Sequence, residues 1–117
     1  MALIVRDITI DQGATFQKHY RWKDASGTYY NLTGWTARMQ VRDKFTSVGF
    51  LIELTTENGR IALSSSGDIQ LTIAATDTNG LTAPKSGVYD LELVSPSGVV
   101  TRFSEGTCRI TPGVTHA

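Results

Sequence analysis

The sequence predicts an all-β protein, a single antiparallel β-sandwich of jelly-roll or immunoglobulin-like type with about eight or nine short strands. Three observations predict it. Apolar and polar residues alternate with a period of two, Gly, Asn, Ser and Pro bound the alternating segments, and the segments recur at intervals of roughly ten residues. A chain of 117 residues can hold one core. We therefore predict one domain over residues 1–117, with extended arms at residues 1–6 and 113–117.

The first alternating segment is residues 15–23, in which Phe16, Tyr20 and Trp22 share one face with Lys18. We expect this strand to pack its aromatic face inward. Residues 24–27 and 31–34 carry the side chains that tolerate turn geometry. The cleanest alternation runs from residue 35 to residue 42 and predicts a strand whose buried face holds Trp35, Ala37, Met39 and Val41.

The middle of the chain predicts three further strands with tight turns between them. Residues 50–54 form one strand, Asn58-Gly59 is a strong turn signal, and the chain returns through residues 61–63. A turn at residues 64–67 leads to a strand at residues 69–73. Residues 74–81 are compatible with a single helical turn that begins at Thr76 or Asp77 and stops at Gly80.

The last third predicts a hairpin and a final strand. Residues 88–93 alternate, residues 95–98 form the turn, and residues 99–104 return as the partner strand. A separate last strand covers residues 107–110 and ends near Pro112. We expect Asp90, which lies between apolar neighbours, to have a structural partner such as Arg38 or Arg42.

Charge and targeting signals narrow the function classes. Lys plus Arg balances Asp plus Glu, 11 against 11, so the broad attraction that favours nucleic acid or anionic membranes is missing. The apolar stretch between Met1 and Arg6 has only four residues, which is too few for the core of a signal peptide. No apolar run is long enough to span a membrane. We expect a protein that folds in the cytoplasm and binds neither nucleic acid nor membrane.

The residues that usually carry catalysis or metal binding are sparse. The two histidines, His19 and His116, have no metal-ligand spacing, and the single cysteine, Cys108, lies in a predicted strand as a small packed residue. The glycines are dispersed and form no phosphate-binding loop. Carboxylates are numerous, but the sequence cannot place two of them across a scissile bond. We predict no enzyme activity, no metal and no cofactor.

The remaining candidates are contact residues for other proteins. Tyr29 and Tyr30 stand at a loop edge where a protein or a sugar could stack, although core packing of at least one is an equal alternative. We group them with the loop at residues 43–49 as one contact region, and the two arms form another. The predicted partner-contact residues are Tyr29, Tyr30, Lys44, Phe45, Arg6 and Val114.

An ordered series of short motifs spans almost the whole chain. The early ones are Asp7-Ile-Thr-Ile-Asp-Gln-Gly13, Trp22-Lys-Asp24 with Gly27, Asn31-Leu-Thr-Gly34 and Gln40-Val-Arg42. The later ones are Ile69-Gln-Leu71, Gly87-Val-Tyr-Asp-Leu-Glu-Leu93, Gly98-Val-Val-Thr-Arg102, Gly106 and Ile110-Thr-Pro112. This succession resembles small structural proteins of tailed-phage virions. It is similar to the N-terminal β-sandwich of upper-baseplate proteins, and jelly-roll capsid cement proteins share its size and strand count.

The resemblance implies a non-enzymatic virion protein with no catalytic residues to transfer. Its expected role is capsid decoration, in which it binds and stabilises neighbouring major capsid subunits and forms a symmetric multimer on the particle. A tail or baseplate adaptor is the alternative. A carbohydrate-binding module on the virion surface would need aromatic residues on one exposed face, and an enzyme would need clustered carboxylates.

Overall fold

The computed structural model describes residues 2–115, which form a sandwich of two β-sheets. The larger sheet contains β1 (Ile4–Val5), β2 (Ile8–Asp11), β4 (Thr36–Arg42), β5 (Ile52–Thr55), β8 (Lys85–Val94) and β9 (Val100–Thr111). The smaller sheet contains β3 (Phe16–Arg21), β6 (Ile61–Leu63) and β7 (Asp68–Ile73). One helical turn, α1 (Ala75–Thr78), connects the smaller sheet to the larger. The predicted all-β sandwich with about nine strands is confirmed.

The two sheets enclose one core, because each long strand buries its apolar alternate residues. In the larger sheet the order is β1-β9-β8-β4-β5, with β2 also paired to β9; in the smaller sheet it is β3-β7-β6. The predicted inward faces are confirmed on both sides. The residues that carry the alternation are Ala37, Met39 and Val41 on β4, Leu91 and Leu93 on β8, and Ile69, Leu71 and Ile73 on β7, all at most 1% exposed.

Phe103 on β9 links the two layers. Its side chain is 2% exposed, and its ring makes edge contacts with Tyr20 on β3 and Trp22 beyond it, at centroid distances of 5.5 and 5.6 Å. Aromatic pairs at this separation and angle are favourable beyond the area they bury. The aromatic face predicted for residues 15–23 therefore packs inward, and it does so against Phe103.

The beginning of the chain runs parallel to β9, so the larger sheet is mixed and not purely antiparallel. Ile4 lies opposite Ser104, and further along Asp11 lies opposite Thr111. Between β1 and β2 the side chain of Asp7 accepts a hydrogen bond from the backbone N–H of Thr107 at 3.1 Å. That hydrogen bond lowers the pKa of Asp7. It also gives the backbone N–H of Thr107 a partner at the interval between β1 and β2, where no residue of these two strands pairs with it.

The predicted N-terminal arm lies within this sheet. Ala2 is 8% exposed, Ile4 packs against the core, and the backbone N–H of Arg6 donates to the carbonyl of Glu105 at 2.9 Å. Residues 2–6 therefore extend along β9 as an edge segment instead of projecting away, because pairing satisfies their backbone groups. Met1 lies outside the described residues.

The structure corrects two of the boundaries predicted from the sequence. The predicted strands at residues 99–104 and 107–110 are one continuous strand, β9, with a register shift opposite Leu91/Glu92 on β8. Gly106, which suggests a break in the sequence, instead lets the carbonyl of Arg6 lie directly against the strand. The helical turn is present at Ala75–Thr78, but its N-cap residue is Ala74 and not Thr76 or Asp77.

Three predicted turns are confirmed by their glycines. Gly27, Gly67 and Gly98 have φ values of 89°, 83° and 91°, in the left-handed region that glycine adopts without steric cost.

Among residues 2–115 there is no helix long and apolar enough to cross a membrane.

Candidate interaction surface

A groove of about 610 Å³ lies on the outer face of the larger sheet, the face turned away from the smaller sheet. Its floor consists of outward side chains from the central strands β4, β8 and β9. Its rim is formed on one side by Val5 of β1 and on the other by Phe45, in the loop that follows β4. No described helix or strand covers this face.

The strand register arranges the floor in rows that cross the sheet. In the central row, Glu53 lies opposite Gln40, Gln40 opposite Asp90, Asp90 opposite Glu105, and Glu105 opposite Val5. Neighbouring strands are about 4.8 Å apart, so this row places three carboxylates and one apolar side chain within about 20 Å. A row of this composition is costly unless cations compensate it.

Arginines on the adjacent row compensate part of this charge. Arg38 donates through Nε to Glu92 Oε1 at 2.8 Å. Arg102 lies between two carboxylates, with Nε 3.6 Å from Asp90 Oδ2 and Nη1 3.4 Å from Glu105 Oε1. Within the central row, Gln40 Nε2 donates to Glu53 Oε2 at 2.7 Å. Glu53 and Glu92 are therefore bound by direct hydrogen bonds.

Asp90 is the least compensated carboxylate of the groove. Among the described residues its side chain accepts no hydrogen bond, and Arg102 is its only ion-pair partner. Burial raises its pKa, and the neighbouring charge of Glu92 raises it further. The expected partners Arg38 and Arg42 are wrong, because Arg38 lies opposite Glu92 in the register and Arg42 turns toward the loop.

Arg42 holds the loop at residues 43–50 in place. The two N–H groups of its Nη1 are shared among three consecutive carbonyl oxygens, those of Ser47, Val48 and Gly49, at 2.7, 3.0 and 3.2 Å. A second anchor is the ion pair between Lys85 Nζ and Asp43 Oδ1 at 3.1 Å. The loop so fixed exposes three large apolar side chains: Phe45 at 88%, Val48 at 100% and Phe50 at 50%.

Replacing Arg42 with Ala is expected to release this loop. A hydrogen bond from a charged donor contributes about 1.5–3 kcal/mol, so loss of those that Nη1 makes should raise the equilibrium constant for local opening of the loop by about tenfold or more. Limited chymotrypsin digestion should then cleave after Phe45 correspondingly faster. Arg38→Ala is the matched control, because Arg38 has the same charge on the same face but pairs with Glu92. Equal cleavage of both variants would contradict the anchoring role.

The predicted contact residues fall in different places. Lys44 and Phe45 lie in the loop beside the groove, and Phe45 lines it. Arg6 follows Val5 at the opposite rim, where its carbonyl accepts a hydrogen bond from the Tyr89 hydroxyl at 2.6 Å. The loop and the N-terminal segment, predicted as separate regions, thus meet at one groove.

Tyr29 and Tyr30 do not join this surface. The ring of Tyr30 stacks on Trp22 at a centroid distance of 4.1 Å and meets Trp35 at 6.5 Å, so the alternative of core packing holds for Tyr30. Tyr29 is 40% exposed and carries the Arg21 guanidinium over its ring at 3.6 Å. Trp35 precedes β4 and the loop follows it, so the tyrosines and Phe45 lie at opposite ends of a seven-residue strand.

The C-terminal segment is attached at its base. The backbone N–H of Gly113 donates to Gln12 Oε1 at 3.1 Å, whereas Val114 beyond it is 93% exposed. The predicted arm at residues 113–117 therefore begins with an anchored residue. Its last two residues, His116 and Ala117, lie outside the described residues.

His19 belongs to a small charged cluster on the smaller sheet. Its Nε2 lies 2.8 Å from Asp68 Oδ1, and Arg21 Nε is 3.5 Å from the same oxygen. Ser64 Oγ donates to Asp68 Oδ2 at 2.7 Å. The pKa of Asp68 is lowered first by the Ser64 hydrogen bond and then by the His19 hydrogen bond.

The lowered pKa of Asp68 predicts a loss of stability in acid. Ionised Asp68 stabilises the folded state above its unfolded pKa, near 3.8, and this contribution is lost as the pH falls through the lower folded value. Melting temperatures measured from neutral pH to below 3.8 should therefore fall less steeply for Asp68→Asn than for the native protein. Ser64→Ala should also reduce the fall of the melting temperature in acid. Parallel curves for all three proteins would contradict the role of Asp68 in acid stability.

Cys108 and Tyr89 are internal. The thiol of Cys108 is 0% exposed, and burial raises its pKa to about 12. Burial also raises the pKa of Tyr89 to about 12; its hydroxyl contacts Ser104 Oγ at 3.0 Å. The interpretation of Cys108 as a packed residue is confirmed. Among residues 2–115 there is no group of three or more His, Cys, Asp or Glu side chains placed to hold a metal ion.

The sequence reading missed most of the groove. Val5 was predicted only as part of the arm at residues 1–6, and Asp90 was given other partners. Glu105 and Arg102 were assigned no role. The available signal was the run of charged or polar side chains at successive outward positions of two long strands, Arg38-x-Gln40-x-Arg42 and Asp90-x-Glu92. A central strand with so many charged outward residues needs cross-strand partners, which indicates a structured polar face.

No protein-family model matches this chain, and no curated protein matches it. Solved structures do match. One is the extracellular domain of the voltage-gated sodium channel beta4 subunit, described as forming parallel homodimers that explain its role in cell-cell adhesion; it is 13% identical, covers 94% of this chain and 93% of its own, and has a TM-score of 0.49. At this score the likeness carries no inference, and the fold assignment rests on the strands described above.

Proposed function

We propose that this protein is a non-enzymatic structural component of a tailed-phage virion, and that it binds a neighbouring virion protein through the groove on the outer face. Its preferred place is the capsid surface, as a decoration protein that holds major capsid subunits together. The observation that carries the proposal is the groove itself, a structured polar floor between two exposed apolar rims.

The composition of the groove suits protein recognition. Stable interfaces combine apolar or aromatic anchors with charged and polar groups at the rim, and a few anchors supply most of the affinity. Phe45 at 88% exposure and Val5 at 63% are such anchors. Because Arg42 already fixes the loop, less conformational entropy is lost when Phe45 contacts a partner.

Repetition on a symmetric shell would make modest contacts sufficient. Each domain buries little area in a groove of this size, but neighbouring copies attached to one particle act at high effective concentration. Self-association on the particle belongs to the same proposal. A tail or baseplate adaptor, the second location, would use the same groove at fewer positions.

Two alternatives from other classes are weaker. The proximity of Asp90, Glu92 and Glu105 raises the alternative of an enzyme. Glu92 is paired with Arg38, however, and Asp90 and Glu105 share Arg102, an arrangement typical of a charged sheet face. A carbohydrate-binding module needs aromatic faces open to a sugar. Trp22, Tyr30 and Trp35 instead pack on one another.

Cryo-electron microscopy of purified virions, with icosahedral and tail-focused reconstruction, tests the location. We expect density for this fold at many equivalent capsid positions, and particles that lack the protein should open at lower temperature. Density confined to the tail would replace capsid decoration with the adaptor role. Absence from the particle would overturn the virion function itself.

A further inference from the structure

We propose that the partner of the groove is a protein segment with a Lys or Arg side chain that binds Asp90 and Glu105 and an apolar side chain that packs against Val5, while Phe45 contacts the segment from the opposite rim. This inference rests on the proposed function and specifies the chemistry of its binding site. It commits to one occupant, a basic and apolar segment of a neighbouring virion protein.

The charge balance of the groove favours a cation. Its lining contains four carboxylates, Asp7, Asp90, Glu92 and Glu105, but only two guanidinium groups, Arg42 and Arg102. Most of these groups are already engaged in the free protein: Asp7 with the N–H of Thr107, Glu92 with Arg38, and Arg42 with the loop carbonyls. What remains is Arg102 shared by two carboxylates, so one negative charge is uncompensated.

The uncompensated negative charge is greatest at Asp90. It lies on β8, in the middle of the sheet, and within residues 2–115 its one ion-pair partner is the shared Arg102 at 3.6 Å. Its side chain is 42% exposed, so an incoming ammonium or guanidinium group can reach it. A cation that binds there gains charge-assisted hydrogen bonds in a partly desolvated site, where such bonds are stronger than in water.

The apolar half of the segment follows from the same row. Val5 and Asp90 are two strands apart across the sheet, and Glu105 lies on the strand between them. Two strand spacings amount to about 10 Å, which an extended chain covers in about three residues. A segment with a basic residue and an apolar residue about two to four positions apart therefore fits. Phe45, on the opposite rim, contacts the other side of the segment.

Binding of the purified protein to virions that lack it tests this inference together with the proposed function. Purified full-length protein is titrated onto virions from a phage deleted for the gene, and the bound fraction is measured by quantitative gel analysis at several salt concentrations. We expect the native protein to bind with an affinity that falls as salt rises, because surface charge pairs are screened. Asp90→Asn should weaken binding by about tenfold or more and flatten the salt dependence. Phe45→Ser should weaken binding without flattening it.

Asp77→Asn is the matched control. Like Asp90→Asn, it removes one negative charge from an ion pair, since Asp77 Oδ2 lies 3.2 Å from Arg60 Nη2. Asp77, however, lies on α1, away from the groove. It should bind like the native protein. Asp90→Asn should keep the native melting temperature or exceed it at neutral pH, because its charged form is disfavoured by burial and by Glu92. A retained cooperative melt separates lost binding from lost folding.

The outcomes distinguish the two proposals. If the native protein does not bind the deficient particles, the proposed function fails, and the inference fails with it. If the native protein binds and Asp90→Asn and Phe45→Ser bind equally well, the function stands and this inference is overturned. If sedimentation shows native dimers in solution that Asp90→Asn abolishes, the occupant is a second copy of the chain, which also overturns it.

Discussion

Replacing Phe103 with Ala is expected to lower the free energy of unfolding by about 3–5 kcal/mol. The ring is 2% exposed and contacts Tyr20 and Trp22 of the opposite layer. Its removal leaves a cavity where the two sheets meet, and neither neighbour can fill it without leaving its own edge contact. Because the free energy of unfolding of a small domain is about 5–15 kcal/mol in total, the variant should be close to unfolding.

Guanidinium unfolding followed by circular dichroism measures this loss. Val100→Ala is the control on the same strand, because Val100 is 47% exposed and its loss leaves no cavity. Its expected effect is within about 0.5 kcal/mol. Similar midpoints for Phe103→Ala and Val100→Ala would show that Phe103 does not join the layers.

Replacing Gly106 with Ala is expected to cost about 1–3 kcal/mol or more. A Cβ atom on Gly106 would overlap the carbonyl oxygen of Arg6, and that oxygen belongs to the backbone, so no side-chain rotation can relieve the overlap. The displaced carbonyl would also lose the hydroxyl hydrogen bond from Tyr89. The N-terminal segment should therefore detach from β9 before the rest of the sandwich unfolds.

Hydrogen exchange of residues 2–11 together with thermal melting checks this expectation. Gly49→Ala is a matched control, since a Cβ there meets nothing within 4 Å. Its melting temperature and its exchange should equal those of the native protein. If Gly106→Ala exchanged at the native rate in the N-terminal segment, the close approach of Arg6 would have no energetic weight.

The sequence predicted those parts of the fold that depend on local pattern. The alternation on β4 and β8 identified both strands and their buried faces, because burial of one face repeats every second residue. The turns at Gly27, Gly67 and Gly98 followed from residue type alone. The parallel pairing of β1 and β2 with β9 joins residues about 100 positions apart, and no local pattern specifies such a pairing.

The candidate site was predicted only in its exposed parts. Lys44 and Phe45 were assigned to a contact loop because the segment is polar and aperiodic around one aromatic residue. The structure does not bring that loop and Tyr29 together, because β4 separates them. Asp90 and Glu105 become neighbours only through the register of β8 with β9, and the shift at Leu91/Glu92 makes that register unreadable from the sequence.

The parallel terminal strands also determine how the domain responds to pulling. Because β1 and β2 run in the same direction as β9, a force that draws the start of β1 and the end of β9 apart acts along the strands. Their hydrogen bonds are then loaded together in shear, whereas antiparallel terminal strands would open one bond at a time. Forced unfolding depends on the rate of barrier crossing, so this arrangement gives the sandwich a mechanical strength that its equilibrium stability does not measure.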